Sequence, residues 1–251
     1  MRALALCSGA CRPENAESVC VELHGLLDSP AEAIFVTVPS TRRISAPGLV
    51  VRTSERIAQA TQPGRQPPRT SVEETVLDLA QLAWTFDDAC GWLTQACGRR
   101  LTTAAKLGRA QQLRKKIRWR HELEDVLEAA ADGIHSALEY RYLCDVERAH
   151  GLPRSRHQVR VVIEAKTVYR DAYYEKFKLA TELDGKLAHP DQERWRDNQA
   201  GAHGILTTRY GWRDVYGHPC ETALLQARIL RKRGWTGKPR PCSPACPVRR
   251  A

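Results

Sequence analysis

The sequence of 251 residues is poor in aromatic side chains and lacks any long apolar run. Phe, Trp and Tyr together make up 6% of the chain, and all six Trp lie from Trp84 onward. No stretch approaches the ~18 consecutive apolar residues that a transmembrane helix needs. The apolar start, Ala3 to Cys7, is too short for the core of a signal peptide. These absences predict a cytoplasmic protein that makes no membrane contact.

A regular cysteine pattern is also missing. The nine cysteines are an odd number and are scattered along the chain. In a reducing compartment such residues are buried thiols or occasional metal ligands rather than a disulfide framework. They stand at positions 7, 11, 20, 90, 97, 144, 220, 242 and 246.

Acidic residues are outnumbered by basic ones. Lys and Arg total 39 against 29 Asp and Glu, which gives a net charge of +10 and a pI of about 9.3. With 42% hydrophobic and 27% charged residues, the chain otherwise has an ordinary globular composition. A GC-rich genome would enrich Arg, but it would not produce the excess of bases over acids. The surplus therefore favours a polyanionic partner, and DNA is the first candidate.

Residues 99–120 contain nine Lys or Arg and no acid. Thr102 or Thr103 is a candidate cap for a helix that extends to Leu113, along which bases recur every three or four residues. Two interpretations stay open, namely contact with the phosphates of nucleic acid and a merely solvated helix face. Under the first interpretation, the predicted DNA contacts here are Arg99, Arg100, Arg109, Arg114, Lys115 and Lys116.

The residues before this basic stretch predict a small mixed domain. A helix is expected at Ala16–Leu27, and strands are expected at Ala33–Val38 and Leu49–Arg52. A capping-box pattern at 70–73 opens an amphipathic helix. No catalytic cluster is evident, so a packing or interaction role is favoured. The expected organisation is a mixed α/β domain at 1–98, a basic helical connector at 99–133 and a second α/β (α+β) domain at 134–251.

The second half shows alternating helical and strand patterns that give the order α-β-β-β-α-β-α. A Pro-rich basic tail follows, with no acid after Glu221. The predicted helices are 121–131, 134–149, 191–203 and 221–233, and the predicted strands are 158–163, 168–174, 177–183 and 205–210.

Four acids in this half are candidates for one catalytic site. Glu182 and Asp184 are two residues apart at a strand end, so their side chains project from the same face. Asp171 lies in the preceding strand, and a short hairpin places it opposite roughly position 180. Glu139 lies on the helix before the strands. Converging carboxylates suit Mg²⁺ or Mn²⁺, which prefer oxygen ligands, and such an ion activates water for attack on a phosphate.

Further polar residues follow these acids. His189 is a candidate general base, because the unperturbed pKa of histidine lies near neutrality. Arg194 and Asn198, one helical turn apart, are candidate phosphate contacts. The alternative is a set of surface carboxylates in which Asp184 and Gly185 simply form a turn.

Three segments carry a resemblance to a known family: SALEYRYLCDVERAHGLPRSRHQ, VYRDAYYEKFKLATELDGKLAHP and RWRDNQAGAHGILTTRYGWRDVYGHPC. They resemble actinobacterial proteins with a restriction-endonuclease-like domain, which are similar to very-short-patch-repair endonucleases and often accompany AbiEi-like type IV antitoxins. The resemblance covers about residues 70–246 and is specific over 134–220. It implies a PD-(D/E)XK fold, in which helices flank a mixed sheet, and a Mg²⁺-dependent endodeoxyribonuclease. It also implies a toxin partner.

The resemblance also implies roles for individual residues. Asp171 would be the central metal ligand, Glu182 the first residue of the E-x-K element and Glu139 the helix acid, so these three would hold Mg²⁺. His189 would be the histidine that follows the acidic-glycine pair, and Asp184 would assist the site.

The chain departs from the family pattern in three places. Arg170 replaces the Pro of the motif name, and Asp184 stands where the Lys would be. The second change supports an alternative function, a non-catalytic DNA-binding regulator of the type IV antitoxin kind. Only residues 17–26 resemble the end of the winged helix with which family members begin. The resemblance thus predicts either a truncated N-terminus or a misassigned start. The missing winged-helix segment counts against the regulator. A structural protein with merely solvated charges is the third possibility.

The end of the chain holds a pattern that suggests a weak zinc site. Cys242 and Cys246 form a C-x₃-C pair, and His218 and Cys220 precede it by about 22 residues. Two cysteine pairs would be a much stronger signal than one pair with a distant His-x-Cys. The sequence therefore favours the alternative, in which His218 and Cys220 begin the last helix and the tail is unstructured.

Overall fold

The computed structural model describes residues 5–6, 24–26, 34–43, 45, 49–62, 64, 69–163, 166–184 and 190–250. The chain divides into two compact units, residues 1–137 and 138–251. The stretch 99–133, expected to be a connector, lies within the first unit. None of the helices in these described ranges is long and apolar enough to cross a bilayer.

The first unit combines a small sheet with a group of helices. Its strands lie in the spatial order β3-β2-β1-β5-β4, and β2 runs parallel to β3. The bounds are β1 (Ala5–Leu6), β2 (Ile34–Pro39), β3 (Leu49–Ser54), β4 (Thr61–Gln62) and β5 (Arg69–Thr70) for the strands, and α1 (Ile57–Ala60), α2 (Val72–Leu82), α3 (Phe86–Gly98), α4 (Ala104–Gln112) and α5 (Arg120–Ala131) for the helices. Strands β2 and β3 confirm the two predicted strands. The helix predicted at 16–27 falls outside the described residues, apart from a turn at 24–26.

Hydroxyl side chains begin the helices α2, α3 and α4 of this unit, in keeping with the preferences of helix caps. The Ser71 hydroxyl accepts a hydrogen bond from the Glu74 amide, so the cap lies one residue later than the predicted box. Of the two candidates for the basic helix, Thr103 is the cap and accepts from the Lys106 amide. Thr102 instead turns inward and is buried.

The second unit contains a four-stranded sheet in the order β6-β7-β8-β9. Strands β6, β7 and β8 are antiparallel neighbours, and β9 runs parallel to β8. The bounds are β6 (Arg156–Ile163), β7 (Lys166–Tyr174), β8 (Leu179–Leu183) and β9 (Leu206–Tyr210), with α6 (Ala137–Arg141), α7 (Pro190–Ala202) and α8 (Pro219–Lys232). Helix α6 continues as a π-helical segment, Tyr142–Arg148, and a second π-helical segment is Arg213–Gly217. This order confirms the predicted α-β-β-β-α-β-α arrangement.

Helices cover both faces of this sheet. On one face, the strand residues Ala172, Leu183 and Tyr210 share a buried apolar cluster with Tyr142 before the sheet and Ala227 of α8. On the other face, Ala180 packs with Ala200 of α7 and with Ile205. The alternation of strand side chains produces these two layers. The second unit is thus a mixed α/β domain whose sheet positions the candidate site.

Candidate functional site

The register of β7 and β8 brings Asp171 and Glu182 together. Ala172 pairs with Thr181 and Tyr173 pairs with Ala180, which places Asp171 beside Glu182 at the end of this ladder. The sequence had placed position 180 opposite Asp171. The difference arises because the connection is a 3₁₀ turn followed by Lys178 in the left-handed conformation, not a two-residue hairpin loop.

Asp171 is held by two hydrogen-bond donors. Its Oδ2 accepts from the Leu183 amide at 2.9 Å, and its Oδ1 accepts from Gln158 Nε2 at 3.2 Å. Burial raises the pKa of the Asp171 carboxyl above its ordinary value, and these two hydrogen bonds partly offset the rise. Because both partners donate, the site is built for a group that accepts at both oxygens, which is an ionised carboxylate.

Gln158 connects Asp171 to the helix acid. Its Nε2 also lies 3.4 Å from Oε2 of Glu139, which is buried. The backbone φ of Gln158 is +47°, a conformation that costs free energy in a residue with a side chain and is concentrated at functional sites. Glu139 is therefore associated with Asp171 through an amide. Sequence reasoning missed Gln158, because a left-handed residue inside a strand has no local sequence signal.

Glu182 is committed to an ion pair. Arg170 Nη1 donates to Glu182 Oε1 at 2.8 Å, and the Arg170 side chain is only 1% exposed. Burial raises the pKa of Glu182, and the negative charge of Asp171 raises it further, while Arg170 lowers it. Arg170 thus neutralises the second acid of the predicted pair.

Asp184 is bound to a cation on the next strand. Arg209 on β9 directs Nη1 toward both oxygens of Asp184, at 3.1 and 3.3 Å, and directs Nε toward Asp197 at 3.0 Å. Burial opposes the charge of Arg209, but the two carboxylates outweigh it and hold its pKa above the ordinary value. Asp184 therefore positions a guanidinium rather than standing ready as a metal ligand.

These groups line a cavity of about 180 Å³. Three acids (Asp171, Glu182 and Asp184) share it with three arginines (Arg170, Arg196 and Arg209) and with Val168 and Tyr169. Tyr169 is 51% exposed and gives the cavity an aromatic rim. A divalent cation would find oxygen ligands here, and the guanidinium groups suit a phosphate. The predicted acids other than Glu139 are thus brought to one cavity.

Of the remaining predicted residues, two lie outside this cavity and one is not described by the structure. His189 falls outside the described residues. Arg194 and Asn198 are both exposed on α7, and neither lines the cavity, whereas Arg196 on the same helix does. The missed residue Arg196 had no distinguishing signal, because eight of the nine residues at 191–199 are polar.

The basic stretch of the first unit contains two kinds of side chain. Arg114 is buried, and its Nη2 contacts Glu74 at 2.5 Å and Asp78 at 2.7 Å. The prediction that Arg114 contacts DNA is therefore wrong, since its charge is used within the fold. Arg99 donates to the Gly25 carbonyl at 2.9 Å. The exposed bases of the stretch are Arg100, Lys106, Arg109, Lys115, Lys116 and Arg118.

Substitutions in this stretch should distinguish the exposed bases from the buried Arg114. Lys115→Ala with Lys116→Ala should reduce the slope of log K against log salt for DNA binding by about 2, because each phosphate contact contributes about 0.9. The double variant should change the free energy of unfolding by less than about 0.5 kcal/mol.

Arg114→Met should leave the slope unchanged and lower the free energy of unfolding by about 3 kcal/mol, because it leaves the buried Glu74 poorly paired. Equal slopes for wild type and the double variant would exclude these lysines as contacts.

The predicted zinc ligands are only partly brought together. Cys220, Cys242 and Cys246 meet at one place, but the fourth member of the group is His150 and not His218. His218 is exposed at the start of α8. Within the described residues, this is the one group of three or more potential ligands close enough to share a metal ion.

The chain has no detectable relatives among the proteins with which it was compared. No protein-family model, curated protein or solved structure matches it. Its function must therefore be argued from its own residues.

Proposed function

We propose that this protein is a divalent-metal-dependent DNA endonuclease whose site lies in the cavity where the end of β8 meets the middle of β7. The proposal includes the restriction-endonuclease-like arrangement of helices about the mixed sheet. The observation that carries it is the pair of carboxylates, Asp171 and Glu182, held side by side on neighbouring strands. Glu139 supports Asp171 through Gln158.

The donor set fits Mg²⁺. Asp171 and Glu182 supply carboxylate oxygens in a small polar cavity, and Mg²⁺ needs only one or two carboxylates because it keeps several waters. Bound there, the ion would activate a water and stabilise the charge that builds on the phosphate. Both carboxyl groups have a raised pKa, so protons compete with the ion for the site.

Arg209 takes the role of the lysine that the family motif has and this chain lacks. Asp184 and Asp197 hold its guanidinium in a fixed position at the cavity. A guanidinium in such a place binds a phosphate and stabilises negative charge that develops on it. The Lys-to-Asp departure at position 184 is then a means of positioning a cation from the neighbouring strand, and not simply the loss of one.

A second candidate function, the DNA-binding regulator, is favoured by the ion pair of Glu182. Arg170 neutralises this acid inside the protein, and Glu182 is one of the two proposed metal ligands. A protein in which this pair persists would bind DNA through its exposed bases without cutting it.

Plasmid nicking distinguishes the two functions. Purified protein is dialysed without divalent cations, incubated with supercoiled plasmid, and then given Mg²⁺ or Mn²⁺. We expect nicked and linear plasmid only after the metal is added, and no product from Glu182→Gln. Glu175→Gln removes an exposed carboxylate of the same unit and should cut like the wild type. Salt-sensitive plasmid binding without any cutting would select the regulator.

A further inference from the structure

We propose that the second unit contains a structural Zn²⁺ site formed by His150, Cys220, Cys242 and Cys246. The ligand atoms of these four residues all lie within 4.8 Å of one another. The proposal is separate from the nuclease function, because none of the four residues lines the cavity between β7 and β8.

Two of the six distances between the ligand atoms match the edges of a tetrahedron. A zinc ion with Zn–S bonds of about 2.3 Å separates two sulfurs by about 3.8 Å, and a sulfur from a histidine nitrogen by about 3.6 Å. The Cys220 and Cys242 sulfurs are 3.6 Å apart, and the Cys246 sulfur is 3.6 Å from His150 Nε2. Three thiolates and one imidazole form a closed ligand set, which is typical of structural rather than catalytic zinc.

The imidazole of His150 is prepared for a metal. The ring is fully buried, and its Nδ1 lies 3.2 Å from the carbonyl oxygen of Val146. A carbonyl can only accept, so Nδ1 carries the proton and Nε2 presents its lone pair toward Cys246. A backbone carbonyl that fixes the tautomer in this way is a usual partner of zinc-bound histidine.

The site joins three separate parts of the unit. His150 follows the π-helical segment, Cys220 lies in the first turn of α8, and Cys242 and Cys246 belong to the tail. The tail is also tied at Arg240, whose amide donates to the His150 carbonyl at 2.8 Å and whose guanidinium donates to the Arg148 carbonyl at 2.8 Å. An ion here would hold a tail rich in Pro and bases against the domain, where apolar burial alone is limited to a few residues such as Val248.

A disulfide is the competing use of these thiols. The Cys220 and Cys242 sulfurs are neighbours and could be oxidised to a disulfide. At 3.6 Å they are not bonded, since a disulfide bond is about 2.05 Å long. Oxidation of that pair would remove two ligands from the zinc site. A Cys220–Cys242 disulfide and a zinc ion bound by all four ligands therefore exclude each other, and the mass of the protein distinguishes them.

Metal analysis of the full chain tests the site. Protein purified under reducing conditions without chelators should contain about one zinc ion per chain, measured by plasma mass spectrometry. Cys242→Ser removes a ligand at an exposed position, so the variant should fold and should hold zinc at least about 10-fold more weakly. His218→Ala is the matched control at the histidine nearest in sequence, and it should keep full zinc content.

Cobalt provides a test on the unaltered chain. Apo protein titrated with Co²⁺ should develop thiolate-to-metal charge-transfer absorption and the intense visible bands of tetrahedral Co²⁺, saturating at about one equivalent. Excess Zn²⁺ should remove these bands. Absence of both zinc and cobalt binding would overturn the proposal. A Cys220–Cys242 disulfide that persists in protein purified under reducing conditions would overturn it too, as would loss of zinc in His218→Ala with retention in Cys242→Ser.

Discussion

Asp171→Asn should lower the rate of metal-dependent plasmid nicking by about 10³-fold or more. A loss of this size corresponds to about 4 kcal/mol of barrier, which is the scale of a single metal ligand or oxyanion contact. The substitution keeps the shape of the side chain and removes its charge. The effect should appear in the cutting rate at saturating DNA, since the exposed bases that we propose as DNA contacts are unchanged.

The hydrogen-bond pattern makes this substitution costly for a second reason. The Leu183 amide and Gln158 Nε2 both donate to Asp171. An asparagine has one acceptor oxygen and one donor nitrogen, so it satisfies one of these partners and opposes the other. We therefore expect a loss of about 1–3 kcal/mol in the free energy of unfolding, which must be measured beside the nicking rate.

The control for this prediction is Asp145→Asn. Asp145 forms a partly exposed ion pair with Arg141 at 3.3 Å and does not line the cavity. The same chemical change there should leave the nicking rate within about two-fold of the wild type and the free energy of unfolding within about 1 kcal/mol. Folded Asp171→Asn that binds DNA and cuts at the wild-type rate would remove Asp171 from the mechanism. Raising Mg²⁺ should not restore the variant, because the carboxylate itself is absent.

The secondary structure of the second unit was largely predictable from the sequence, because each element is local. The patterns at 158–163, 168–174 and 205–210 place strands where β6, β7 and β9 lie. The pairing between β7 and β8 was less accessible. A left-handed Lys178 after the 3₁₀ turn shifts the register, and lysine gives no signal for that conformation.

The candidate site was only partly predictable, because its cations come from distant parts of the chain. The acids stand out as a pattern along β7 and β8. Arg209 lies opposite Glu182 only because β8 and β9 pair in parallel, with α7 as the connection between them along the chain. That neighbour relation is a property of the sheet order, and the local sequence about Arg209 does not reveal it.

The ligands of the cysteine cluster are likewise brought together by tertiary packing and not by proximity in the sequence. His218 was the natural candidate, since it stands two residues before Cys220. Its side chain is exposed at the start of α8. His150 lies 96 residues before Cys246 and reaches it only through packing. Proximity in sequence is thus a poor guide to the fourth ligand when the first three come from two separate segments.

Glu147→Gln should stabilise the protein at high pH. Glu147 is 2% exposed and accepts a hydrogen bond from the Tyr174 hydroxyl at 2.5 Å, and burial raises its pKa from 4.5 to about 7. The folded protein therefore holds this proton more tightly than the unfolded chain does. Its contribution to stability is complete below about pH 4.5 and is lost as the pH rises through 7, which amounts to about 3 kcal/mol.

Glutamine keeps an acceptor for Tyr174 and never ionises, so it should escape this loss. The free energy of unfolding of Glu147→Gln minus that of the wild type should grow by about 2–3 kcal/mol between pH 5 and pH 8, measured by urea unfolding at each pH. Taking the difference between the two proteins cancels the titration of Asp171, Glu182 and every other shared group. Glu175→Gln, at an exposed carboxylate, should show a difference below about 0.5 kcal/mol. If the Glu147→Gln difference does not change with pH, the buried carboxyl does not gain a proton on folding, and its pairing with Tyr174 must be that of a carboxylate.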